Sequence, residues 1–124
     1  IYGMTGGQMA PTTLQGQKPT TSMLGRDSKT QGFPIKVCEM LSQLDGPAYI
    51  ERVTLTSPQA IKKAKASIKK AFTYQQEGRG FTLIEVLSTC PVNWEMSPVE
   101  AMTWVNEEMT KVFPLGIFKD VHHD

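Results

Sequence analysis

Three stretches of this sequence carry residues whose types and spacing could do chemistry. The first is Ile1-Tyr2-Gly3-Met4-Thr5-Gly6-Gly7-Gln8. Its glycines permit positive φ and close approach of backbone to a ligand. Successive N–H groups in such a turn can cradle a phosphate, and Thr5 adds a hydroxyl. The second is Ser88-Thr89-Cys90-Pro91, a thiol placed just after a strand-like run. A thiolate suits an iron–sulfur cluster, whereas an inert, packed thiol is the plain alternative. The third is the run Lys62, Lys63, Lys65, Lys69 and Lys70. It reads as a surface for phosphate or an acidic partner, or as the solvated face of an amphipathic helix, and the second reading is preferred. His122 and His123 end the chain as an exposed tail rather than a metal site. Trp94 and Trp104 read as substrate-stacking residues or as core or subunit-interface packing, and the second reading is preferred because Trp104 is in helical register. Cys38 falls on an apolar helical face and is expected in the core.

These residues need elements to position them. Thr5 to Gly32 is rich in Gly, Thr, Gln, Ser and Pro and sustains no period of 2 or 3.6. A stretch this long is either a functional loop or a disordered one, and with few apolar anchors it is expected to be mobile. From Pro34 the pattern becomes regular. Ile35, Val37, Cys38, Leu41 and Leu44 have helical spacing, closed by Gly46-Pro47. Residues 48–55 form a β-branched and aromatic run, predicted as a strand. Ser57-Pro58 caps a helix with Ile61, Ala64, Ile68, Ala71 and Phe72 on its apolar face. Residues 81–87 are almost continuously apolar, which predicts a strand buried on both faces of a parallel sheet. Ser97-Pro98-Val99-Glu100 is a capping box opening a last helix, with Val99, Met102, Trp104, Val105, Met109 and Val112 as its apolar face. Helix, strand, helix, strand, helix implies an α/β class with a parallel sheet. Two strands do not complete such a sheet.

Composition sets the outer limits. At 124 residues the chain fits one small domain or part of a larger one. A net charge of +1 gives no reason to expect nucleic-acid binding, and no apolar run approaches a membrane span. Two cysteines make no disulfide framework, which favours a reducing, cytoplasmic setting. Met4 to Gln8 matches part of a common epitope tag, but Met9-Ala10-Pro11 and the leading Ile1-Tyr2-Gly3 depart from it.

The runs Ile1 to Thr13, Gly16-Gln17-Lys18, Gly25-Arg26-Asp27, Leu44 to Tyr49, Val86 to Trp94, Ser97 to Ala101 and Pro114 to Asp120 resemble the β subunit of the 2-oxoacid:ferredoxin oxidoreductases. These are thiamine-diphosphate enzymes of the 2-oxoglutarate and branched-chain 2-oxoacid type. The resemblance spans nearly the whole chain. It implies the second half of a thiamine-diphosphate-binding fold. Residues 1–33 would be its cofactor-binding loop region, and residues 34–124 the C-terminal α/β part of the same domain. The implied reaction is oxidative decarboxylation of a 2-oxoacid with coenzyme A, giving acyl-CoA, CO₂ and reduced ferredoxin. The implied partners are an α subunit, possible further subunits and ferredoxin.

By the same resemblance, Ile1, Gly3, Met4, Thr5 and Gly6 would bind thiamine diphosphate, with the carbonyl of Ile1 on Mg²⁺ and Met4 near the substrate carbon. Cys90 would be the last of four ligands to a [4Fe–4S] cluster in the intact subunit. The family's Gly-Asp-Gly motif, its Asn and three further cysteines would precede Ile1. This stretch alone is therefore expected to be inactive, and no side chain in it is an obvious general base. The rival expectation is a non-catalytic assembly module of the same ancestry, docking a partner subunit.

Overall fold

The structure, a computed structural model, describes residues 5–121. Ile1, Gly3, Met4, His122 and His123 lie outside the described residues. The chain divides into two compact units, each described by itself below. One joins the N-terminal stretch through Lys36 to Thr89–Val112, and the other joins Val37–Ser88 to the stretch from Phe113 onward.

The second unit is the α/β part. Helix α2 spans Val37–Ser42, strand β1 Pro47–Thr54, helix α3 Pro58–Gln76, strand β2 Phe81–Leu87 and strand β3 Gly116–Asp120. Strand β1 is central, in the order β2-β1-β3. It pairs with β2 in parallel from Pro47↔Phe81 to Thr54↔Leu87, the βαβ arrangement expected from the sequence. The sheet is not wholly parallel, however. Strand β3 returns antiparallel on the other side, with Tyr49↔Asp120 and Arg52↔Gly116 and a bulge between Ile50 and Glu51. Its five residues are too short, and too mixed in polarity, to announce a strand by alternation.

Helix α3 starts where Ser57 accepts a hydrogen bond from the Ala60 N–H at 3.1 Å, with Pro58 in the first turn. Its buried stripe is Ala64, Ser67, Ala71 and Tyr74. The expected apolar face is therefore corrected: Ala64 and Ala71 belong to the core, but Ile61, Ile68 and Phe72 are exposed. Small residues let the helix approach the sheet closely, and Tyr74 meets Tyr49 with ring centroids 5.7 Å apart. The core here is Ala48, Tyr49, Ala71 and Tyr74, with Ile84 against it.

Strand β2 is also less buried than its composition implies. Phe81 and Val86 are exposed, on a strand that among the described residues pairs with β1 alone. All eight residues of β1 are buried. They include Glu51 and Arg52, whose charges burial alone would penalise heavily. Arg52 is answered by Glu39 of α2 at 2.6 Å and by Glu85 of β2 at 2.5 Å, and donates to the carbonyl of Pro114 at 3.0 Å. Its guanidinium also lies over the rings of Phe113 and Phe118. Cys38 is fully buried as expected, but in this polar network: its thiol donates to Glu85 at 3.0 Å. Burial and that carboxylate push the thiol up to about 12.

The first unit contains α1 (Ser28–Gln31), α4 (Pro91–Trp94) and α5 (Pro98–Trp104). A π-helical turn (Val105–Met109) then leads into α6 (Thr110–Val112). The Ser97–Glu100 capping box is present in both directions. The apolar face of this last helical stretch is narrower than expected: Ala101 and Val105 are buried, whereas Val99 is exposed.

Candidate functional site

Residues 5–36 have little regular structure, yet their backbone is extensively paired. Arg26 organises them. Its side chain is buried and donates to six carbonyls at 2.6–3.4 Å: Ala10, Pro11, Thr13, Gln31, Gly32 and Phe33. A guanidinium offers five N–H donors in a fixed fork, so one side chain can gather several loop carbonyls. The backbone adds Gly16 N–H to the Arg26 carbonyl, Arg26 N–H to the Gln17 carbonyl and Ile35 N–H to the Pro11 carbonyl. Gly25 approaches so closely that a Cβ there would lie 2.7 Å from the Gly16 carbonyl oxygen. Where the sequence offers this segment few apolar anchors, the structure shows a polar scaffold. Composition pointed to missing apolar anchors and gave no sign of one buried cation.

The glycine turn is tied to the same scaffold. Thr20 donates its hydroxyl to the Gly6 carbonyl and its N–H to the Gly7 carbonyl, both at 2.9 Å. The Met9 N–H donates to the Thr21 hydroxyl. Thr5 and Gly6 are exposed, and Gly6 has a φ of 100°. Gly7 is buried with φ 73°, and a Cβ on it would lie 2.4 Å from Oδ1 of Asn93. Asn93 belongs to α4, whose N-cap is Cys90. The structure thus brings the glycine turn against the segment that follows Cys90. Cys90 is half-buried and not in a disulfide. Among the described residues no group of three or more His, Cys, Asp or Glu is arranged to hold a metal ion.

Beside this contact runs an open cleft of about 780 Å³. Residues 14–20 form one wall, and residues 92–96 with Trp104 and Glu108 the other. Trp94 and Trp104 sit in it with ring centroids 4.8 Å apart. The indole Nε1 of Trp94 is buried and has no acceptor among the described residues. Such an unanswered donor costs about 1–3 kcal/mol. The sequence admits substrate stacking by both tryptophans but favours core packing or a subunit interface; in the structure they line a cleft. A Trp in helical register gives no such signal.

The glycine turn thus lies against the segment that follows Cys90, and the α/β unit carries a parallel β1–β2 pair. The chain belongs with the subunits of the 2-oxoacid oxidoreductases. It is 46% identical over 120 residues to the ketoisovalerate oxidoreductase subunit VorA of Methanothermobacter thermautotrophicus, covering 97% of this chain and 25% of that protein. VorA of Methanothermobacter marburgensis gives the same identity and coverage. The 2-oxoglutarate synthase subunit KorB of Archaeoglobus fulgidus is 32% identical over 111 residues, covering 90% of this chain and 37% of that protein. The chain therefore spans about a quarter of the VorA relatives and little more than a third of KorB. No family model matches the chain, and no solved structure matches it. No helix among the described residues is long and apolar enough to cross a membrane.

Proposed function

We propose that this chain is the C-terminal part of the β subunit of a 2-oxoacid:ferredoxin oxidoreductase, working with an α subunit and in the cytoplasm. Residues 1–33 and 34–124 then belong to one thiamine-diphosphate domain. The reaction is decarboxylation of a 2-oxoacid with transfer of the acyl group to coenzyme A and of two electrons to ferredoxin. Thiamine diphosphate supplies the carbanion chemistry, and the protein's part is to hold and orient it.

The observation that carries this reading is the contact of Gly7 with Asn93. It joins two motifs far apart in sequence, the glycine turn and the Cys90 segment, at one place. Steric fit supports the reading at Gly6, which is exposed with positive φ and no Cβ, while the buried Gly7 fixes the turn against Asn93. Thr5 and Gly6 border the cofactor in this reading, with Ile1, Gly3 and Met4 completing the contact and the Ile1 carbonyl on Mg²⁺. The described residues contribute a wall to that site, and the acidic metal ligands come from elsewhere in the full subunit. Cys90 contributes one ligand to a [4Fe–4S] cluster whose other ligands lie outside this sequence.

The test is Mg²⁺-dependent binding of thiamine diphosphate to the natural full-length polypeptide with its partner subunit, followed by calorimetry. Saturable binding, abolished by Gly7→Val, supports the reading. Loss of iron and of the cluster's visible absorption in Cys90→Ser supports the ligand assignment separately. The 124-residue stretch by itself is expected to bind no cofactor tightly. A full-length complex that binds none either belongs to an assembly module.

A further inference from the structure

Helix α3 presents three distinct sectors. One is the small-residue stripe packed on the sheet. A second carries Lys63 and Lys70, which reach Glu51 at 3.4 Å and Asp120 at 2.5 Å. The third flanks the small-residue stripe on the side opposite Lys63 and Lys70. It contains Ile61, Ile68 and Phe72, spaced i, i+7 and i+11, which are 40%, 41% and 64% exposed. Alongside them stand Lys62, Lys65 and Lys69, all exposed and all without an ion-pair partner among the described residues. The helix contains no Asp or Glu at all.

The apolar stripe does not lie on a flat surface. Ile68, Ala71, Phe72 and Gln75 form one side of a groove, and Thr82 and Ile84 of β2 form the other. Its volume is about 190 Å³, room for a small number of side chains. An apolar groove, with three unanswered cations on the adjoining face of the same helix, is complementary to a chain that is apolar on one side and acidic on the other.

We propose that this flank of α3 docks an acidic amphipathic segment of a protein partner. Apolar side chains of the segment enter the groove between α3 and β2, and its carboxylates meet Lys62, Lys65 and Lys69. The concavity favours side chains over a lipid surface, and the apolar stripe offers nothing to a phosphate backbone. The placement lies within the α/β unit and is independent of the cofactor assignment.

The experiment places the photo-crosslinking residue p-benzoylphenylalanine at position 72 of the natural full-length polypeptide, co-expressed with its partner subunits. The adduct is mapped by mass spectrometry. The expected adduct joins position 72 to a segment of another polypeptide that carries Asp or Glu beside apolar residues. The triple change Lys62→Glu, Lys65→Glu and Lys69→Glu is expected to lower its yield about tenfold, because like charges then face each other. Raising salt from about 50 mM to about 500 mM acts in the same direction. These lysines are exposed, so the far-ultraviolet circular dichroism stays unchanged; should the triple variant fail to fold, Lys65→Glu alone carries the comparison. No adduct overturns the proposal, as does an adduct indifferent to charge reversal. An adduct to a second copy, to the same polypeptide or to lipid does so too.

Discussion

At the scale of single residues, the glycine turn is held by sterics that distinguish two neighbouring glycines. Gly6 and Gly7 both have positive φ, but only Gly7 faces a wall. In Gly6→Ala the new methyl meets the flexible end of Gln8 at 3.4 Å. In Gly7→Ala it would meet the Asn93 side chain at 2.4 Å. Both changes incur the backbone penalty of about 1–3 kcal/mol, and Gly7→Ala adds a clash. The expected order in urea denaturation is therefore wild type, Gly6→Ala, Gly7→Ala, from most to least stable. Adding Asn93→Ala to Gly7→Ala should restore part of the loss, a non-additivity expected only if the two residues touch. Arg26 is the complementary case, a residue whose removal opens a scaffold. Arg26→Met keeps the apolar stem and deletes every donor, stranding carbonyls of Pro11, Thr13 and Phe33. Hydrogen exchange should accelerate at the N–H groups of Gly16, residue 26 and Ile35, all of which are bonded across that scaffold. Unchanged protection there would show that the backbone pairs hold without the guanidinium.

At the scale of elements, the sequence made some features plain and concealed others for identifiable reasons. Ser57-Pro58 and Ser97-Pro98-Val99-Glu100 announce their helices because capping is local: donor and acceptor lie three residues apart. The two parallel strands are equally legible from their β-branched runs. The buried side of α3 was not, because Ile61, Ile68 and Phe72 outweigh alanines in any hydrophobic pattern. Packing against a sheet that carries Tyr49 and Glu51 selects small residues instead. Strand β1 hid its charges' partners for the same reason. Arg52 in an apolar run announces that a counter-charge exists, but Glu39 and Glu85 are 13 and 33 residues away. In the candidate site, glycines and Cys90 were visible by type, whereas their meeting through Asn93 depended on tertiary structure. The Arg52 network carries its own test. Arg52→Met leaves two carboxylates facing an apolar stem and should cost about 3–5 kcal/mol. Replacing Arg52, Glu39 and Glu85 together by apolar residues of similar volume should recover most of that loss, since no unpaired charge remains. Urea midpoints of the single and triple variants measure the difference.

At the scale of the whole molecule, three polar groups of the α/β unit, Cys38, Tyr49 and Lys70, share one thermodynamic sign. Cys38 is raised from an ordinary thiol value to about 12 by burial and Glu85. Tyr49 is raised by burial and by its hydrogen bond to Glu51, which has a weaker counterpart in the Lys70 ammonium, raised by Asp120. Each of these groups holds its proton more tightly when folded than when unfolded. Each contribution is therefore fully present below the unfolded pKa and lost as pH rises toward the folded one. Stability should be level through neutrality, begin to fall near pH 9, where an unfolded thiol ionises, and steepen above pH 10, as tyrosine and lysine join. Cys38→Ser separates the first step from the rest. The hydroxyl can keep the bond to Glu85 but does not ionise in this range, so the decline between about pH 9 and 10 should flatten while the steeper portion remains. Urea denaturation at intervals from pH 7 to pH 11 reads both parts. A decline of the same shape in wild type and Cys38→Ser would assign the alkaline loss to Tyr49 and Lys70 and remove the thiol from it.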